Sequence, residues 1–250
     1  MMNTQLGRIK MKTSSKILLS VLAALLIFTI GGLISLRILV DRAAESGGGL
    51  RAISEQDLGD KITQQYDLDE FSRVKVTGGW SVSISASEEY KVSISFPENL
   101  QDHVKVTKSG QALILETTGL VDFKGSHFKA EIQMPELSAL SSEGGLTATL
   151  SNFSGDELLI ESGGGVQLNA ADCAYNQLEL ELSGGIQGNL KELKADNIHI
   201  EGNGAVDLDL YIDGGSLTGE VNGAAHIRIR GSLKKNTLKV NGVSNIEYLN

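Results

Sequence analysis

Leu158-Leu-Ile-Glu-Ser-Gly-Gly-Gly-Val-Gln-Leu168 is the first of four similar segments in the second half of this chain. The others are residues 178–188, 198–208 and 217–227, and each alternates apolar and polar residues around a glutamate and a central glycine. Self-similarity at a fixed period indicates a stacked architecture, in which each unit buries its apolar face only against its neighbours. The central glycines recur at intervals of 20, 20, 19 and 19 residues: Gly164, Gly184, Gly204, Gly223 and Gly242.

This repeat predicts an all-β fold and, within that class, a parallel β-helix-like solenoid with coils of about 19–20 residues. Leucine-rich repeats share the period, but their Asn-centred consensus and helical return segment are missing here. The glycines are predicted to be structural turn residues, needed either for a bend at positive φ or for close stacking of coils. The predicted inward side chains are Leu158, Ile160, Val166, Leu168, Leu178, Leu180, Ile186, Ile198, Ile200, Val206, Leu208, Val221, Ile227 and Ile229.

Short runs of alternating apolar and polar residues also occur earlier, between Tyr66 and Ile132. Alternation at period two is typical of half-buried strands. A single β-domain is therefore expected over residues 66–250. Residues 41–65 are polar and include Ser46-Gly-Gly-Gly49, so they are interpreted as a linker.

The N-terminal part has a different pattern. The twenty residues 17–36 contain no charge, which is the length a helix needs to cross a bilayer. Residues 17–40 are therefore predicted to be a transmembrane anchor, and a cleaved signal peptide is the alternative. Because residues 1–16 are basic, they are expected to stay in the cytoplasm. The predicted localisation is single-pass in the cytoplasmic membrane, with the C-terminal domain periplasmic or extracellular.

Charge limits the partners of the β-domain. The first 40 residues carry five basic side chains and no acid, so subtracting these five charges from the net charge of −9 leaves −14 for residues 41–250. Such a surface repels phosphates, which excludes nucleic acid as a partner. Cys173 is the only cysteine, so an intrachain disulfide is excluded, and a buried structural thiol is expected.

Three features together resemble a known bacterial family. They are the segment from Tyr66 to Ile84 with its Gly78-Gly-Trp80, the later Glu131-Ile-Gln-Met-Pro-Glu-Leu137, and the Gly-containing repeats after it. Residues 66–250 resemble the head GIN domain family, described as putative auto-transporter adhesins. The resemblance implies a right-handed β-helix-like fold outside the cytoplasm and carries over no catalytic residue.

Motifs for catalysis are weak throughout. Ser232-Leu-Lys-Lys235 has the S-x-x-K spacing of penicillin-recognising enzymes, but the companion motifs are absent. The histidines lie at unrelated spacings and favour neither a metal cluster nor a catalytic triad. We therefore predict no enzyme activity and no cofactor. The four histidines are His103, His127, His199 and His226.

Two polar columns follow when the repeats are aligned. The first is acidic and is the one candidate for a metal site, through Ca²⁺ bridging of stacked carboxylates. The alternative, which we favour, is a solvated surface without a metal. The acidic column is Glu161, Glu181, Glu201 and Glu220. The second column is Gln167, Gln187, Asp207, His226 and Asn245.

Three functions are compatible with these patterns. An adhesin-like module whose outward side chains bind a glycan, a cell-wall polymer or a protein is favoured by the regular outward columns. A self-assembling envelope protein is the first alternative, because open ends of a repeat array can template further pairing. A carbohydrate-active enzyme is the weaker one, because no pair of catalytic carboxylates is evident.

Overall fold

The computed structural model describes residues 59–118 and 127–249, and almost all of them are in strands. A short 3₁₀ helix, Glu98–His103, connects two of the strands. The strands are β1 (Lys61–Tyr66), β2 (Arg73–Ala86), β3 (Lys91–Pro97), β4 (Val104–Ser109), β5 (Ala112–Thr117), β6 (Phe128–Met134), β7 (Ala139–Ser151), β8 (Ser154–Ala171), β9 (Cys173–Asp213), β10 (Ser216–Ser232), β11 (Lys235–Asn236) and β12 (Lys239–Leu249).

All twelve strands belong to one mixed sheet with the order β1-β3-β6-β2-β7-β8-β9-β10-β11. Strand β12 also pairs with β10, and β5 joins β2 to β4. The pairs β1–β3, β3–β6 and β4–β5 are antiparallel. The long pairs that include β2, β7, β8, β9, β10 and β12 are parallel. The repeats thus pair in parallel, and β2 also pairs in parallel with β5, β6 and β7.

The repeats pair with one another in the register expected from their spacing. Leu158 lies beside Leu178, and Ile198 lies beside Leu217. Because side chains alternate across a strand, equal positions of successive repeats fall on the same face. One face therefore collects the aliphatic side chains, and the other collects the polar ones.

The core consists of the inward side chains of these strands. All of the aliphatic residues that the sequence predicted to point inward are buried, from Leu158 to Ile229. The first half of the chain adds larger groups, including Phe71, Trp80 and Phe96. Full burial of one such side chain stabilises the fold by about 1.5–3 kcal/mol, so the apolar face is the main source of stability.

The predicted right-handed parallel β-helix-like solenoid is wrong, although the all-β class is correct. The structure is one mixed sheet of twelve strands, and its antiparallel pairs lie between Lys61 and Met134, before the repeats. Strands β4 and β5 show the physical reason, since only Gly110 and Gln111 separate them. A two-residue loop returns the chain as an antiparallel hairpin, and Gly110 supplies the positive φ of 58° that such a turn needs.

The predicted membrane topology is also corrected. Within residues 59–118 and 127–249, no helix is long and apolar enough to cross a membrane. The predicted single-pass localisation, with a cytoplasmic N-terminus and a periplasmic or extracellular C-terminal domain, is therefore not supported. The predicted anchor, residues 17–40, and the basic segment before it lie outside the described residues. Strand β1 begins at Lys61, inside the segment predicted to be a linker.

Candidate functional site

A column of glycines crosses the parallel strands and shapes the surface beside it. Gly184 has φ of 114°, and a Cβ atom at this position would overlap the carbonyl oxygen of Gly164 on the neighbouring strand. The same contact to the preceding glycine recurs along the column, and every member except Gly164 has a positive φ. Both reasons proposed from the sequence therefore apply: a positive φ and a close approach of backbones. The glycine column comprises Gly78, Gly144, Gly164, Gly184, Gly204, Gly223 and Gly242.

The residue after each of these glycines is small in all but the last strand. A Cβ atom added at Gly145, Gly165 or Gly185 would meet nothing within 4 Å, so these positions face open space. Together they form the small-residue row: Gly79, Gly145, Gly165, Gly185, Ala205, Ala224 and Val243. Because no side chain larger than a methyl group fills the row before Val243, a groove is left across the strands.

This groove has a volume of about 840 Å³ and extends from β2 to β12. Its lining is mostly apolar and includes Trp80 at the β2 end and the aliphatic residues Val166 and Ile186 in the middle. One side is polar and is formed by the polar row: Thr147, Gln167, Gln187, Asp207, His226 and Asn245.

Five members of the polar row are the second column that the repeat alignment identified. The structure places Gln167 beside Gln187, and His226 beside both Asp207 and Asn245. Sequence reasoning found this column but missed the groove next to it, as well as Thr147 and the small-residue row. The signal was the Gly or Ala that follows each repeated glycine up to Gly223.

Charges concentrate at the β12 end of the groove. Arg228 donates a hydrogen bond to Asp207, with 3.0 Å between Nη2 and Oδ1. The ring of His226 lies between two carboxylates, 3.7 Å from Asp207 Oδ1 and 3.5 Å from Glu247 Oε1. The part of the polar row from Thr147 to Gln187, by contrast, contains only hydroxyl and amide side chains. The groove therefore has a neutral middle and a charged end.

The predicted acidic column lies on the other side of the glycine column. Glu161 pairs in register with Glu181, and Glu201 with Glu220. Glu201 contacts His199, with 3.2 Å between Oε1 and Nε2, and Glu220 accepts a hydrogen bond of 2.7 Å from Asn241. In the described part of the chain, no three His, Cys, Asp or Glu side chains are arranged to hold a metal ion.

The absence of a metal at the acidic column stays a prediction, and calcium can test it. We expect millimolar Ca²⁺ to leave the melting temperature unchanged, because a ligand stabilises only a state that binds it. The double variant Glu181→Gln with Glu201→Gln should gain at most about 0.5 kcal/mol at low salt, through relief of like-charge repulsion. Thermal melts with and without Ca²⁺, at two salt concentrations, measure both effects. A Ca²⁺-dependent rise that the double variant loses would contradict the prediction.

The other candidate residues lie apart from the groove, except for His226. His103 contacts the carbonyl oxygen of Thr118 at 2.8 Å, and His199 contacts Thr218 Oγ1 at 2.9 Å. His127 precedes β6, and the segment from Ser232 to Lys235 lies at the end of β10 and the start of β11. The structure thus does not assemble these residues into one site.

Cys173 is buried, as the sequence predicted. Burial raises the pKa of its thiol, although hydrogen bonds from the surrounding backbone, with Phe153 first, oppose that shift. The Sγ atom also lies 3.3 Å from the carbonyl oxygen of Ala171. A buried thiol with a raised pKa is a poor nucleophile, so Cys173 is a core residue.

Solved structures of putative adhesins have folds similar to that of this chain. A putative adhesin from Bacteroides fragilis has a similar fold, with a TM-score of 0.57 and 21% sequence identity over 76% of this chain and 97% of that chain. A putative adhesin from Parabacteroides distasonis has a TM-score of 0.50 and 16% identity over 76% of this chain and 98% of that chain. At these identities the likeness concerns the fold alone. No protein with a curated description has a significantly similar sequence.

The family model that matches is described as "Putative auto-transporter adhesin, head GIN domain", and the match covers residues 70–191. This span runs from just before β2 into β9 and includes the glycine column from Gly78 to Gly184. It confirms the resemblance that the sequence indicated, over a shorter range than residues 66–250. By this match, residues 70–191 of the chain are similar to the family of putative auto-transporter adhesins with a head GIN domain.

Proposed function

We propose that this chain is a binding module of the adhesin type without enzyme activity, and that the groove beside the glycine column binds an extended, uncharged glycan. The proposal rests on one observation: the groove has a mostly apolar lining, and the polar row runs along one of its sides. The match of residues 70–191 to a family of putative auto-transporter adhesins favours a ligand outside the cell.

The chemistry of the groove suits a sugar chain. A sugar ring presents apolar C–H faces as well as hydroxyl groups, and the groove offers an apolar lining next to hydroxyl and amide side chains. The amides of Gln167 and Gln187 can both donate and accept hydrogen bonds, as can a sugar hydroxyl. Neighbouring strands lie about 4.8 Å apart, so polar groups recur along the groove at a spacing comparable to one sugar ring.

Charge favours a neutral ligand over an acidic one. Residues 41–250 carry a formal charge of −14, once the five basic residues of the N-terminal segment are subtracted from −9. Asp207 lines the groove and Glu247 lies next to His226 at the same end. An anionic polymer would have to approach these carboxylates, and like charges oppose that approach.

Binding without cleavage is supported by the ionisable groups of the groove. Glycoside hydrolysis in most families uses a pair of carboxylates on either side of the scissile bond. Of the described residues that line the groove, Asp207 alone carries a carboxylate, and it is paired with Arg228. A ligand would therefore be held and released unchanged.

Filling the groove tests the proposal. The double variant Gly165→Leu with Gly185→Leu places two isobutyl groups in the open space, and neither glycine has a positive φ. We expect the wild-type chain to bind members of an array of immobilised neutral oligosaccharides and the double variant to lose at least about tenfold in affinity, which is ~1.4 kcal/mol.

A matched control places the same side chains outside the groove. Gly163 and Ser183 are paired in register, are exposed, and lie on the other side of the glycine column. The variant Gly163→Leu with Ser183→Leu should bind as the wild-type chain does. Equal binding by the filled variant, or a wild-type chain that binds no neutral oligosaccharide, would overturn the proposal.

A further inference from the structure

Strand β12 has an exposed edge with unusual composition. Among the described residues it pairs with one strand, β10. The two large hydrophobic side chains that are exposed in this part of the chain both belong to it, Val243 at 80% and Tyr248 at 58%. An edge strand presents unpaired backbone groups, and apolar side chains on such an edge favour pairing with another strand.

The inward side of β12 is incompletely covered. Val240 and Ile246 are half-buried, whereas Val221 and Ile227, their neighbours on β10, are 0% exposed. The difference arises because Val221 and Ile227 have a strand on both sides, whereas Val240 and Ile246 have one on a single side. A further strand paired with β12 at this edge would cover Val240 and Ile246, just as β12 covers Val221 and Ile227.

We propose that β12 pairs antiparallel with β12 of a second copy of this chain, about a two-fold axis at Val243. A symmetric pair of this kind requires a self-complementary strand, in which residue i meets j and j meets i. In this register Lys239 lies opposite Glu247 of the second copy, and Val240 lies opposite Ile246 of the second copy. Asn241 then meets Asn245 of the second copy, and the two Val243 side chains meet on the axis.

The composition of β12 selects this register over the neighbouring ones. Opposite residues of an antiparallel pair share a face, so inward residues must meet inward residues. Moving the axis by one residue, to Gly242 or Ser244, keeps the faces but places Lys239 opposite Asn245 or Leu249. Only the axis at Val243 gives two Lys–Glu pairs together with two Val–Ile pairs. Glu247 is 44% exposed, so it is accessible to a second copy.

The pairing would also extend the groove. Val243 is the last member of the small-residue row, so the axis brings the ends of two grooves together. Two linked sites bind a long polymer more tightly than one, because the second contact is intramolecular. The pairing itself does not depend on what the groove binds.

Cysteine cross-linking of the full chain tests the inference. Paired residues of antiparallel strands have Cα atoms about 4.5–5.5 Å apart, within the range of a disulfide. Val243→Cys should therefore form a covalent dimer on mild oxidation, read on a non-reducing gel. The wild-type chain, in which the native Cys173 is buried, gives the background level of cross-linking. Asn241→Cys and Asn245→Cys should each stay monomeric, and the variant with both changes should cross-link.

A charge exchange gives a second, independent measurement. Lys239→Glu places like charges opposite each other at both ends of the pair, and so does Glu247→Lys, so each should abolish the dimer in sedimentation experiments. The double exchange should restore it. A monomer for Val243→Cys, or equal cross-linking of the three single cysteine variants, would overturn the inference.

Discussion

Replacing Gly184 with alanine is expected to destabilise the parallel part of the sheet strongly. At φ of 114° an alanine adopts a conformation that costs about 1–3 kcal/mol. Its Cβ would also overlap the carbonyl oxygen of Gly164, which is backbone and cannot move aside without shifting a strand. Together these effects should lower the melting temperature by roughly 5–10 °C or unfold the domain. Thermal unfolding followed by circular dichroism measures the change.

The neighbouring glycine provides the control. Gly185→Ala adds the same methyl group one residue later, where it meets nothing within 4 Å and where φ is not in the left-handed region. Its effect should stay within about 0.5 kcal/mol, and the loss of unfolded-state freedom could make it slightly stabilising. A similar loss in both variants would show that Gly184 and Gly185 do not differ as the structure describes.

The repeats explain why so much of the parallel region could be predicted. Each repeat carries the same inward and outward positions, so aligning the segments gave the register of Glu161 with Glu181 and the burial of Ile200. The glycine column followed in the same way, except that Gly78 and Gly144 were missed. These two precede the clear repeats and are recognisable only once β2 and β7 are seen to pair.

In the first half of the chain, the direction of the strands could not be predicted from the sequence as it could for the repeats. Alternation identifies a strand such as Lys91–Pro97 but does not say which neighbour it pairs with, or in which direction. The pairing of β2 with β6 and β7 joins residues far apart in sequence. The loop Gly110-Gln111 was the one local signal for a hairpin, and it indicates the antiparallel turn that the solenoid prediction did not allow for.

The groove was beyond prediction for a different reason. Its polar row is visible in an alignment, but its depth depends on the bend at the glycine column and on empty space at Gly145, Gly165 and Gly185. An exposed glycine in a sequence can mean a turn, a close backbone approach or open space. Gly164 and Gly165 show two of these meanings at adjacent positions, and only the structure distinguishes them.

A charge in the core should have the largest effect of all. Ile200 is 0% exposed and lies among stacked aliphatic side chains. In Ile200→Asp, a carboxylate without a partner would be buried there and packing would be lost, at a cost of about 3–5 kcal/mol. This is a large fraction of the stability of a typical domain, so we expect unfolding or rapid proteolysis. Limited proteolysis and thermal melts measure both.

Two controls identify what destabilises Ile200→Asp: the pH dependence of the loss and a substitution of the next residue. Burial raises the pKa of the introduced carboxyl, so the folded state binds its proton more readily and the loss should be smaller at about pH 4 than at about pH 8. Glu201→Gln changes the next residue, which is exposed and contacts His199, and it should shift the melting temperature by no more than about 1–2 °C. Equal damage from Ile200→Asp and Glu201→Gln would mean that the assignment of inward and outward positions is wrong. A loss that does not change with pH would instead trace the damage to the missing aliphatic volume, because packing does not titrate.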